Sequence, residues 1–435
     1  MDPVRLAARA AAERTSVAEQ HDVVVVGAGL AGLCAARTLC AAGLDAVVLE
    51  ASDAVGGRVR TDEVDGFRID RGFQLHNPAY PEAARVLDHD ALDLRTFTRG
   101  VLVCVDDQRW RLADPRDEPA WAVDALRSPV GSWADLARFA RWSLEQSRRP
   151  ARAIVDDVDM PAAQRLRGLG LSPRFIDGLL RPFLSGVFLE DELATSSRFL
   201  ELVVRTFVRG TPSIPALGMQ RIPEQLADQL PSDTVRLGCR VDAVTASGVT
   251  TDDGEVRASA VVVATDPSTA ARLLPGLSVP PMRGSTTWYH AVRSDDLTLR
   301  RPVLLVDGQR RGPVTSSVVL THASPSYSPD ARALVSSATL GGDTTAEQVA
   351  RVRAHLAQLH GVDTSRWEEV AVVAVPEALP AMPPPHDFRR PVRLSAGRYV
   401  AGDHRDSSSI QGAMISGRRA AQAVLADLGR QWEAA

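Results

Sequence analysis

The hydrophobic pattern opens on one ordered unit. Residues 23–26 are an unbroken valine run, as in a strand buried on both faces of a parallel sheet. Small and apolar residues at 33–42 predict a helix, and 45–49 a second buried strand. Phe67 and Ile69 then alternate with polar neighbours as in a strand, and residues 71–77 form a glycine-containing turn before Pro78. Residues 86–215 read as mostly helical. Within them Phe199, Leu200, Val203, Val204, Phe207 and Val208 make an apolar stripe on a helix over 195–209. A further helix starts near Ile222, and VRL, RVDAVTAS and ASAVVVATDP predict strands. The last of these returns to the sheet of the first valine run. Residues 276–390 hold the β-rich runs STTWYHAV, PVLLVD, VTSSVVLTH, ALVSSATL and EEVAVVAVP, with one helix over 345–360 entered by a capping box of Thr344 and Glu347. Residues 375–385, VPEALPAMPPP, read as a rigid extended crossing. Near the end a strand closes at Ala401, Gly402 and Asp403 turn, and Ser408 or Ser409 caps a helix rich in small residues.

Chemistry enters between the first two strands. Gly27, Gly29 and Gly32 stand in GxGxxG spacing directly after the valine run. They serve a tight turn, close approach of backbone to a pyrophosphate, and helix–strand packing. The helix N-terminus supplies free N–H groups and a partial positive charge for the phosphates. Glu50 closes the second strand eighteen positions beyond Gly32. It is placed to bind the ribose hydroxyls of an adenosine and disfavours a 2′-phosphate. The ordered set predicts dinucleotide binding. The cradle comprises Gly27, Ala28, Gly29, Leu30, Ala31, Gly32, Glu50 and Ala51.

After Glu50 the chain runs ASDAVGGRVRT, with a second glycine pair that a plain nicotinamide domain does not need. With the first motif, this resembles the flavin-containing amine oxidase, protoporphyrinogen oxidase and phytoene desaturase superfamily. GMxxIPxxLA, VVVATDP and the tail AGDHRDSSSIQGAMISG are similar to it too. The resemblance spans about residues 22–425 and implies an α/β fold. A Rossmann-like FAD-binding domain with a parallel sheet (21–85, 216–275 and 391–435) would be interleaved with an α+β substrate domain (86–215 and 276–390), after an N-terminal tail (1–20). It implies non-covalent FAD, with Gly56, Gly57 and Arg58 at the diphosphate and the Val241 backbone at adenine. Gly402 and Asp403 would meet the phosphate and ribityl region. The final helix, through Ser409, Ile410, Gln411 and Ala413, would aim its positive end at the flavin pyrimidine. Gly72, Phe73, Gln74 and His76 would neighbour the flavin or substrate. Arg71, Gln74 and His76 are the nearest candidates for acid–base work. A buried histidine is otherwise commonly a hydrogen-bonded structural residue.

Composition narrows the reading. All fifty basic residues are arginine, so no lysine base or Schiff base is available. Relatives that oxidise amines commonly carry a lysine over the flavin and an aromatic pair. Here the tail has Ser407, Ser408, Ser409 and Ile410 instead. The resemblance therefore points to removal of two electrons, as hydride to flavin N5, from a small apolar or polycyclic substrate, with oxygen or a quinone as acceptor. An amine oxidase without the usual lysine is the same-class alternative; an isomerase or binding homologue is the other. A net charge of −4 gives no attraction for nucleic acid. Four cysteines without CxxC spacing suit a reducing cytosol and predict no metal site. Residues 1–20 lack the apolar centre of a secretory signal, and no apolar run approaches a spanning helix. Trp121, Trp133 and Trp142 among arginines would allow weak peripheral membrane contact, with core packing the expected alternative.

Overall fold

The computed structural model describes residues 19–113 and 118–430. The tail expected at 1–20 falls outside these except for Glu19 and Gln20, which begin the first strand, Glu19–Val26. That strand is central to an eight-stranded sheet. Its order is Val241–Val244, Gly248–Thr251, Gly254–Val263, Glu19–Val26, Ala46–Leu49, Val235–Arg236, with Arg398–Val400 and Arg393–Ser395 branching from Gly254–Val263. Val26 lies level with Leu49 on one side and Val263 on the other, both pairings parallel. The carboxyl ends of these strands therefore finish at one edge, where open α/β sheets bind ligands.

The helix after the first strand is Leu30–Ala41, three residues earlier than its apolar pattern suggests. Gly29 is its N-cap, so Leu30, Ala31 and Gly32 form its first turn. The C-terminal helix, Ile410–Asp427, packs across it. Gly417 makes the crossing possible, because a Cβ there would overlap the Ala31 carbonyl.

A second sheet of seven strands runs Glu368–Pro380, Met282–Val292, Ala333–Leu340, Val314–Val319, Leu304–Asp307, Gly100–Val105, Gln108–Ala113. The last two correct the expectation that 86–215 is mostly helical. Gly100–Val105 and Gln108–Ala113 are a hairpin. Its turn residues, Asp106 and Asp107, both have positive φ (50° and 59°), the geometry that matches strand twist in a two-residue hairpin. Helices dominate only from residue 119 onward. Among them Arg181–Phe188 packs on the second sheet, and Trp133–Arg148 packs against Ser197–Arg209. A second correction concerns the cap of the helix Ala346–His360. It is Thr345, whose hydroxyl accepts from Gln348 N–H, and not Thr344 with Glu347. Two adjacent threonines satisfy the capping spacing in both frames, and the structure takes the later one. Trp121 and Trp142 are buried, whereas Trp133 is 73% exposed.

Gly417→Val should force the two helices apart. The expected loss is about 1–3 kcal/mol or more of stability, read as a lower denaturation midpoint. An unchanged midpoint would show that the crossing is not close-packed.

Candidate functional site

One cavity of about 1760 Å³ opens at the carboxyl edge of the first sheet and continues between the second sheet and the helices. Every site residue expected from sequence lies on its wall except Ala28 and Gly32. Those two act from behind the wall. Ala28 N–H donates to Glu50 Oε2 at 2.7 Å, and a Cβ on Gly32 would overlap the Gly27 carbonyl.

The cradle is assembled from two glycine loops. Gly29 and Gly56 form a parallel bridge, and Gly56 N–H donates to Ala28 O at 2.8 Å. Gly27 and Gly56 take φ of 99° and 119°, which side chains rarely tolerate. Above Gly29 there is open space where a Cβ would stand. No side chain caps the helix that begins at Leu30, so its first N–H groups face the cavity. Glu50 Oε1 accepts from Ser52 N–H and its hydroxyl, which leaves Oε2 as the freer oxygen for a ribose. Open floor, free helix N–H groups and a carboxylate at the sheet edge fit an FAD pyrophosphate and ribose.

Arg58 and Asp403 reach each other across the cradle, Nη2 to Oδ1, at 2.7 Å. Arg58 Nη1 also donates to Ala378 O on the second sheet. In the tail, Ser409 is the N-cap, accepting from Gly412 N–H at 3.0 Å. Ile410, Gln411 and Ala413 form the first turn of that helix on the cavity wall, and Gln411 Oε1 accepts from Glu82 N–H.

The loop 71–77 is fixed differently from what its residue types suggest. Arg71 is a two-point partner of Asp62 (2.6 and 2.9 Å). His76 is fully buried, exchanges backbone hydrogen bonds with Ser213 and meets His89 Nε2 at 3.1 Å. Burial and the neighbouring His89 hold its pKa down to about 3, so it is neutral near pH 7. Gln74 Nε2 donates to the carbonyls of Arg58 and Arg71, and its Oε1 has no partner. The wall here offers positioning rather than a free base.

Behind this loop lies a support that sequence reasoning missed. Asp70 is buried and accepts from Thr61 Oγ1, Met219 N–H and Tyr327 OH, while Tyr289 OH donates to its carbonyl. Burial pushes its carboxyl up to about 6 against those hydrogen bonds. Tyr327 lies 257 positions away, so no local pattern signals the contact. Thr265 and Asp266, just beyond the parallel strand Gly254–Val263, also line the cavity and were not among the expected site residues. Their place at a strand's carboxyl end was the available signal. No group of three metal-ligating side chains occurs among the described residues.

The sequence model of the flavin containing amine oxidoreductase family matches residues 30–425. Putrescine oxidase of Kocuria rosea is 29% identical over 300 residues, 60% of this chain and 59% of that enzyme. The match thus spans little more than half of that relative. Hydroxysqualene dehydroxylase of Rhodopseudomonas palustris is 28% identical over 448 residues, covering 93% of this chain and 98% of its own length. Among solved structures, a protein assigned as protoporphyrinogen oxidase from Exiguobacterium sp. 255-15 superposes with a TM-score of 0.71 at 19% identity. That superposition covers 95% of this chain and 99% of the other, and establishes the shared fold.

Two outcomes follow from this geometry. Glu50→Ala should weaken FAD binding about ten- to hundred-fold, the loss of a charge-assisted contact of about 1.5–3 kcal/mol. Equilibrium dialysis of FAD checks this, and unchanged affinity would remove Glu50 from the ribose site. For Asp70, the folded state binds its proton more tightly than the unfolded chain does. Its contribution to stability is full below pH 4 and is lost as pH rises through about 6. Asp70→Asn should therefore gain on wild type by about 2 kcal/mol between pH 4 and pH 7, measured by urea denaturation at both values. A pH-independent difference between the two proteins would refute the assignment.

Proposed function

The chain belongs to the flavin containing amine oxidoreductase family, and we propose that within it this protein oxidises an apolar substrate rather than a simple amine. Its cofactor is FAD, which supplies a two-electron acceptor when bound. The observation that carries the proposal is the wall beyond the loop 71–77. Phe73, Phe97, Phe139, Leu179, Phe183, Val203 and Phe207 line it, the usual character of a small-molecule site. Phe73 stands edge-on to Phe97, and Phe183 edge-on to Phe207.

On this reading the chain's work is alignment. Gln74, locked by two carbonyls, and the loop that Asp70 anchors hold one side of the reacting region. The packed phenylalanines hold the other and exclude water. Alignment alone can account for a large part of a hydride-transfer barrier. The positive end of the helix Ile410–Asp427 would favour negative charge on the reduced cofactor. The match to hydroxysqualene dehydroxylase over nearly its whole length supports an apolar substrate. The match to putrescine oxidase favours the second reading, an amine oxidase that works without lysine.

We assign segments 21–85, 216–275 and 391–435 to cofactor binding, and 86–215 with 276–390 to the substrate. Oxygen or a quinone is the proposed acceptor. No helix among the described residues is long and apolar enough to cross a membrane. Exposed Leu126 and Trp133 (65% and 73%) stand at the cavity rim and support a weak peripheral membrane contact there.

Anaerobic mixing of purified holoprotein with a substrate panel tests the choice. Apolar, conjugation-extending compounds should bleach the flavin at least about ten-fold faster than benzylamine, tyramine or polyamines, a barrier difference of about 1.4 kcal/mol. Faster reduction by any of those amines would overturn the proposal in favour of the amine-oxidase reading.

A further inference from the structure

The ionised groups on the cavity wall are unevenly divided. Its acids, Glu50, Asp266, Asp403 and Asp406, all lie along the first sheet's carboxyl edge and the C-terminal segment. Between residues 133 and 208, by contrast, the charged wall residues are two arginines, Arg152 and Arg205, amid apolar side chains.

Arg205 is half-buried on the helix Ser197–Arg209. Its Nε donates to the Arg149 carbonyl at 3.0 Å, at the end of the helix Trp133–Arg148. That contact uses one of five donors, and the remaining Nη groups have no partner among the described residues. Among the described residues no carboxylate pairs with it. Burial and the like charge of Arg209 both pull its pKa below the ordinary arginine value. Arg152 is exposed on the helix Ala151–Val155, which packs against the same helix. Its side chain makes neither a hydrogen bond nor an ion pair among the described residues. A half-buried cation such as Arg205 beside an apolar cavity is costly without a counter-ion, and with the exposed Arg152 it creates a field that favours an anion there and repels a cation.

We propose that the substrate is an amphiphile whose anionic head, a carboxylate or phosphate, is received by Arg205 and Arg152 while its apolar body extends toward the loop 71–77. This rests on the apolar-substrate reading and adds a charge to one end of the substrate. Arginine suits either head, because its planar fork matches both in two-point geometry.

The test is equilibrium binding of conjugated-tetraene chains of equal length to the FAD-loaded protein, followed by tetraene fluorescence. The four probes carry a carboxylate, a phosphate, an alcohol or an amine. The carboxylate or the phosphate should bind about ten-fold tighter than the alcohol and the amine, and whichever is tighter identifies the head. Arg205→Gln should remove most of that advantage. Arg152→Gln, at a side chain with no protein partner, should lower anion affinity about three-fold and leave the alcohol unchanged, free of any folding defect. Equal affinity for anionic and neutral heads, tighter binding of the amine, or indifference to both substitutions would overturn the charge inference. If the alcohol still bound, the apolar reading would stand. If no chain bound at all, that reading would fall as well.

Discussion

Three distant stretches of chain meet at the guanidinium of Arg58. It leaves the second glycine loop, pairs with Asp403 before the C-terminal helix, and donates to the carbonyl of Ala378 on the second sheet. The Asp403 side chain is only 6% exposed, so this carboxylate needs its partner. Leaving a buried charge unpaired costs about 3–5 kcal/mol. The contact therefore does more than strengthen one loop. It sets the cofactor cradle at a fixed position relative to the sheet that floors the rest of the cavity. The continuity of the cavity depends on that position, and so does the alignment we propose. The glycines act at shorter range, since the cradle floor forms only because two backbones approach closely at Gly29 and Gly56.

What could be read in the sequence follows from how local each constraint is. Gly27 and Gly56 sit at φ of 99° and 119°, with their spacing to a valine run and to Glu50 recorded within a few dozen residues, and Gly402 at 146° stands just before the serine that caps the last helix. The two ends of the chain were legible for that reason. The middle was not. Gly100–Val105 finds its parallel partner in Leu304–Asp307, roughly two hundred positions away, and residues 119–209, which follow its hairpin, are largely helical. A reader of local periodicity assigns the strand to its helical surroundings. The twin aspartates of its turn were the one local clue, as residues that tolerate left-handed backbone. Asp70 escaped for the same reason, because a single acid ending a strand pattern carries no sign of Tyr289 arriving from the second sheet and Tyr327 from the turn Pro325–Tyr327.

Residue type misled most where polar side chains are committed to structure. Arg71 and His76 are the groups a sequence reader reaches for when seeking acid–base chemistry. The structure commits Arg71 to Asp62 and keeps His76 neutral in the core. Gln74 differs, because its amide is oriented beyond ambiguity. Both partners of its nitrogen are carbonyls, so the unpartnered atom must be the oxygen. A fixed acceptor beside a cavity can orient a donor but cannot take up a proton at ordinary pH.

That distinction bears on why the cavity can be long and apolar. A site that removes a proton needs an ionisable group near the reacting carbon, with its own water or counter-charge, and such a group breaks an apolar wall. A site that relies on hydride alignment needs shape, and shape comes from phenylalanine and leucine packing without solvated charges. The charges can then be displaced to the far end of the cavity. This is the arrangement seen, with acids along the nucleotide edge and Arg152 and Arg205 among the helices. A substrate oriented by its head at one end and by shape at the other is held by two independent constraints. Oxidation by FAD would release a proton as well as a hydride, and water entering from the cavity mouth would take it up, so neither constraint needs a base built into the wall.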